Sequence, residues 1–202
     1  RSTLFPYTTL FRSGRRNSNI LFRPDGTIDA VHRKIKPTGA ERLIWGDCHT
    51  EEHYFPVTET PWGRWGALIC WESYMPLART ALYEKGISVY IAPNTNDNPE
   101  WQNTIRHIAL EGRCYVINAD MIIKKTDYPC TLNEQEHISN LPDQVCRGGS
   151  CIIDPYGHPV TEPVWEKECI LHAHLKMQNV PASRMEFDPC GHYARPDILS
   201  LR

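Results

Sequence analysis

Apolar and polar residues follow each other in short strand-like runs along most of this chain, with two stretches at helical spacing between them. Asn19 to Lys34 reads as two runs around an Asp25-Gly26 turn signal, a hairpin that delivers His32, Arg33 and Lys34 to its far end. Residues 37–53 mix Pro, Thr, Gly, Asp and His with little periodicity, which predicts a long loop of the kind that carries function. A second hairpin turns at Thr60-Pro61-Trp62-Gly63. Its second arm, Trp65 to Cys70, is apolar enough for a buried strand and runs straight into Trp71-Glu72-Ser73.

From Pro76 to Lys85, Leu77, Ala81 and Leu82 form a helical stripe with Pro near the first turn and Gly86 as terminator. Ile87 to Ala92 is a mostly β-branched and aromatic run, hence another buried strand. Trp101 to Arg113 puts Trp101, Ile105, Ile108, Ala109 and Gly112 on one face, a second helix, and Cys114 to Ala119 returns to strand. Lys124 to Gln144 is polar, with Pro129 and Pro142, and reads as an excursion loop. Beyond Gly148-Gly149, strands Ser150–Asp154 and Pro159–Pro163 flank a Pro155-Tyr156-Gly157-His158 turn, Cys169 to Leu175 adds a third, and Val180 to Arg202 is expected to be irregular. The order strand, helix, strand, helix, strand predicts an α/β domain with helices packed on a sheet.

Composition narrows the function classes. With 41% hydrophobic and 23% charged residues, the 202-residue chain is too apolar for disorder and long enough to bury one core. A net charge of −2 gives no basic surplus for nucleic acid or an anionic membrane, and no run of about 18 apolar residues occurs. Eight cysteines are too sparse for a disulfide scaffold and no secretory signal precedes them, so they are expected as thiols in the cytoplasm. Residues 1–13 match no helical or strand period and resemble a translated sequencing-library adapter. The expected division is therefore a non-native segment, 1–13, and one domain over 14–202.

Cys70 is the first candidate for chemistry. It sits where a buried strand ends and a helix is about to begin, where a nearby cation and helix N-terminus favour thiolate. Considered alone it is as readily a small buried hydrophobe. Lys34, Glu41 and Glu72 are the titratable groups a cysteine nucleophile would need. Lys34 could equally be an exposed strand-end lysine, and Lys36 points the same way in an extended segment, so alternation does not separate the two. His49-x-x-x-His53, His172-x-His174 and Cys190-Gly-His192 lack the paired short spacings of a zinc module, and no metal site is expected.

Several words of the sequence, in order, resemble the nitrilase branch of the carbon-nitrogen hydrolase family. His32-Arg33-Lys34-Ile35-Lys36-Pro37-Thr38 followed by Glu41-Arg42-Leu43-Ile44-Trp45-Gly46-Asp47 is similar to its lysine block, and Gly66-Ala67-Leu68-Ile69-Cys70-Trp71-Glu72 to its nucleophile block. Further matches run through Pro76-Leu77, Tyr90-Ile91-Ala92-Pro93, His107-Ile108-Ala109-Leu110-Glu111-Gly112 and Gly191-His192-Tyr193-Ala194-Arg195-Pro196-Asp197.

The resemblance implies a four-layer α-β-β-α sandwich, incomplete here at its N-terminus, that self-associates through helical faces near the nucleophile. It implies that Cys70 adds to a nitrile carbon to give a thioimidate, which water converts to carboxylic acid and ammonia without any cofactor. Lys34 matches the family lysine, which stabilises charge developing on the substrate nitrogen. The backbone N–H of Trp71 would join it, Glu41 matches a supporting glutamate that orients the lysine, and Glu72 and His107 are expected as supporting residues. The family's general-base glutamate lies upstream of the lysine block, so the chain as written is expected to be inactive, prone to insolubility and lacking that base. Alternatives are cyanide hydratase or cyanoalanine nitrilase chemistry and, in another class, a non-catalytic assembly subunit. The nitrile's size is not readable from the loops Trp45–His53 and Lys124–Gln144 expected to line the pocket.

Overall fold

Hydrogen bonding by Asp25 explains why the first hairpin closes where it does. Its carboxylate accepts from the backbone N–H and the hydroxyl of Thr27 at 2.9 and 2.7 Å, while Gly26 supplies a φ of +84°. Strands β1 (Ser18–Phe22) and β2 (Ile28–Arg33) pair antiparallel on either side and form a sheet of their own. These elements belong to a computed structural model that describes residues 15–49 and 54–199. The segment expected to be non-native, 1–13, and His53 of the His49 pair lie outside the described residues.

A second, seven-stranded sheet is built from β3 (Val57–Thr60), β4 (Gly63–Ala67), β5 (Ile87–Asn94), β6 (Tyr115–Asp120), β7 (Ile122–Lys124), β8 (Gln144–Ile153) and β9 (Pro159–Trp165). Its order is β3-β4-β5-β6-β8-β7, with β9 also paired to β8. Strands β4, β5 and β6 are parallel, and each crossover between them is a helix, α1 (Pro76–Glu84) and then α2 (Pro99–Gly112). Such an arrangement leaves the C-terminal ends of the parallel strands as the natural place for a site.

Alternation along the strands separates two apolar layers. Leu68, Tyr90, Ala92 and Val116 pack on one face against Leu82 of α1 and Trp101, Ile105 and Ile108 of α2. The other face is thinner: Val89 and Tyr115 meet Val180, with Trp65, Ile91, Ile117, Leu175 and Met177 half-buried around them. Of the expected four-layer sandwich, the described residues supply a helical layer and the seven-stranded sheet, while the hairpin β1–β2 forms a separate two-stranded sheet.

Three expectations need correction. Cys169 to Leu175 is not a strand: Glu166, at a φ of +56°, donates its backbone N–H to Arg147 at 2.7 Å and turns the chain off the sheet. The segment is instead held by Lys176, whose carbonyl accepts from the Tyr115 hydroxyl at 2.9 Å. Val180 to Arg202 is not wholly irregular, because α4 (Asn179–Glu186) forms there; Pro181 falls in its first turn, where no N–H is required. The Lys124–Gln144 excursion contains a 3-10 turn, Lys125–Asp127, and a short helix, α3 (Gln135–Ser139).

Candidate active site

Two short 3-10 turns place the candidate residues, and each has a glutamate at its third position. In Gly39–Leu43, Glu41 reaches back to accept the backbone N–H of Thr38 at 2.6 Å. The same oxygen lies 2.7 Å from the Lys34 ammonium, and the other accepts from Asn17 Nδ2 at 3.4 Å. The Lys34 side chain has 0% exposure and Glu41 27%, so this ion pair joins a buried cation to a partly wet anion. Lys36, by contrast, is 61% exposed and pairs with Asp47. The extended strand stops at Arg33, so the two lysines do not share a side.

Cys70 opens the second turn, Cys70–Tyr74, just beyond β4. Its φ is +55°, a left-handed conformation that costs a non-glycine residue about 1–2 kcal/mol. Such a bend at a strand end turns the thiol, and the N–H groups after it, out of the sheet. Glu72 is buried at the third position of this turn. One oxygen accepts the backbone N–H of Ile69 at 2.8 Å and His32 Nε2 at 2.7 Å, and the other accepts the N–H of Ile35 at 2.8 Å. One carboxylate thus clasps the residue before Cys70 to the residue after Lys34, keeping those two nitrogens within about 8 Å of each other.

His32 is the residue that sequence reasoning missed here. It is buried, stacks on Phe55 with centroids 6.1 Å apart, and gives Nε2 to Glu72 while Nδ1 has no partner among the described residues. No local signal marks it, because its partner Glu72 lies 40 residues further along the chain. Trp71 presents its indole to solvent beside Tyr74, so any role at the site falls to its backbone N–H. His107 lies further out. Its side chain is 64% exposed on α2, and its ring lies 3.6 Å from Glu111.

Among the described residues no group of three or more His, Cys, Asp and Glu could hold a metal ion, and no helix is long and apolar enough to cross a membrane. None of the eight cysteines forms a disulfide. Burial pushes the thiols of Cys114 and Cys151 up to about 12, which leaves them inert as thiolates.

The carbon-nitrogen hydrolase pattern matches residues 11–185. The chain belongs to the carbon-nitrogen hydrolase family. An aliphatic nitrilase of Sinorhizobium fredii is 46% identical over 183 residues, which are 90% of this chain and 58% of that protein. A bifunctional nitrilase/nitrile hydratase of Nicotiana tabacum is 42% identical over 187 residues, 90% of this chain and 53% of its own length. These similarities bear out the nitrilase-branch resemblance, and the chain spans somewhat more than half the length of the relatives it matches. A carbon-nitrogen hydrolase from Helicobacter pylori superposes with a TM-score of 0.74 at 22% identity, covering 91% of this chain and 64% of that one, which establishes the fold.

Proposed function

We propose that this carbon-nitrogen hydrolase chain carries the nucleophile and the cation of a nitrilase. The thiol of Cys70 adds across the nitrile, its proton passing to nitrogen, to give a thioimidate. Water adds, ammonia leaves to yield a thioester, and a second water releases the carboxylic acid and restores the thiol. The ammonium of Lys34 faces the nitrogen as negative charge grows there, and in a water-poor site such a preorganised cation contributes far more than it would in bulk solvent. The observation that carries this reading is the clasp: a buried lysine held by Glu41, and tied through Glu72 to a thiol on a left-handed turn.

Neither glutamate suits the remaining role of general base. Glu41 is committed to Lys34 and Thr38, and Glu72 to His32, Ile35 and Ile69. The test is to assay the 202-residue chain beside a version extended with its upstream coding sequence, on one aromatic nitrile, one aliphatic nitrile and cyanide, measuring ammonia against amide. Ammonia and acid from the extended chain alone is the expected result; comparable turnover by both would overturn the missing-base reading. Amide as the main product would favour hydratase chemistry, which the bifunctional relative makes worth measuring. No turnover by either, with Cys70 unreactive, would favour the assembly-subunit reading.

Self-association and a cytoplasmic location belong to the same proposal. Trp71, Tyr74, Met75 and Leu77 are exposed together around the start of α1, an apolar patch suited to a second copy.

A further inference from the structure

The left-handed turn at Cys70 needs a restraint, and Glu72 holds only its first half. The second half is held at Ser73, which has no exposed surface. Its hydroxyl accepts from the Tyr90 hydroxyl at 2.7 Å, and its carbonyl accepts from Arg79 Nη1 at 2.9 Å. Arg79 lies on α1 and is itself 93% buried, with its guanidinium facing Glu111 at the end of α2: Nε to Oε2 at 2.7 Å and Nη2 to Oε1 at 3.2 Å. The hydroxyl of Tyr83 gives Glu111 a further bond at 2.9 Å. One planar cation therefore spans the end of α2, the body of α1 and the turn at Cys70, donating from Nε and both terminal nitrogens, a fork that a lysine cannot reproduce.

A buried ion pair is a poor way to gain stability, since apolar residues of similar volume commonly do as well or better. Its value here lies in where it points. We propose that Arg79 and Glu111 are positioning residues that hold the Ser73 carbonyl, and through it keep Cys70 in its left-handed conformation at the end of the strand. This rests on Cys70 being the nucleophile, and it does not depend on which nitrile, or whether any nitrile, is hydrolysed.

Alkylation reads this placement without turnover. Arg79→Lys and Glu111→Gln variants of the 202-residue chain are treated with iodoacetamide near neutral pH, and peptide masses give the labelling rate of Cys70 against exposed Cys130 as internal reference. Both variants are expected to lower the Cys70 to Cys130 ratio about fivefold or more, because a relaxed turn no longer holds the thiol out of the sheet where the reagent reaches it. A purely electrostatic effect would instead speed labelling in Glu111→Gln, which leaves Arg79 uncompensated. The double variant Arg79→Leu/Glu111→Leu removes the buried cation and its partly exposed partner together, so it is expected to melt closer to the parent than either single variant while its labelling ratio stays low. A parental ratio in any folded variant, the double one included, overturns the proposal. In the upstream-extended chain, kcat is expected to fall about tenfold with KM within about twofold. Loss of labelling contrast with no nitrile turnover by the parent would retain this inference and remove the nitrilase reading.

Discussion

Lys34 and Lys36 sit two residues apart and end in opposite surroundings. Lys34 is sealed against Glu41, whereas Lys36 shares the surface with Asp47. Removing one member of a buried pair strands the other, so Lys34→Met is expected to cost about 2–4 kcal/mol in urea unfolding, Glu41 being partly solvated. Lys36→Met is expected to change stability by less than about 0.5 kcal/mol, as exposed pairs do. Equal effects would show that Lys34 is not sealed in solution. The residue types of this site were legible in the sequence, and Lys34 was selected over Lys36 only through the family resemblance. His32 and Arg79 stayed hidden because nothing local distinguishes a histidine or arginine that will meet a carboxylate 40 or 32 residues away.

At the scale of elements, both long helices and the strands β4, β5 and β6 follow from periodicity, because their apolar faces are long enough to declare a period. The errors fell where a single backbone angle or a distant partner decides. Cys169–Leu175 has strand-like residues, but Glu166 turns it away from the sheet before it can pair. The contact between α1 and α2 offers a sharp test. A Cβ on Gly112 would come within 2.2 Å of the Tyr83 ring, which is also pinned by its hydroxyl to Glu111. Gly112→Ala is therefore expected to lower stability by about 1–3 kcal/mol despite the better helix propensity of alanine, measured as a lowered Tm in circular dichroism. A raised Tm would mean that the helices separate freely and that the ion pair between them is loosely held.

For the whole molecule, one carboxyl at the C-terminal edge of the sheet makes stability depend on pH. Asp120 ends β6, and burial pushes its carboxyl up to about 7, opposed by the bond from the Asn96 N–H at 3.1 Å; Asn94 Nδ2 also donates to it, at 2.9 Å. Between about 4 and about 7 the folded state keeps a proton there that the unfolded chain releases, so this group's contribution is fullest below the unfolded value and is lost as pH rises through 7. Asp120→Asn is expected to gain about 1 kcal/mol over the parent as pH goes from 4 to 8, a figure discounted for the group's part exposure. Asn94 Oδ1, which has no partner among the described residues, can turn to accept from the new amide. A stability difference that does not vary with pH would remove Asp120 from this role. By itself the sequence determined the α/β class, the parallel core and the residue types of the site, since periodicity and turn chemistry act over a few neighbours. Only the tertiary structure decided which lysine is buried, that Glu72 clasps the two candidate segments, and that Arg79 bonds the carbonyl of Ser73 in the turn that Cys70 opens. Those are contacts between carboxylates and donors far apart in the chain, and no local pattern encodes which distant group will satisfy a buried charge.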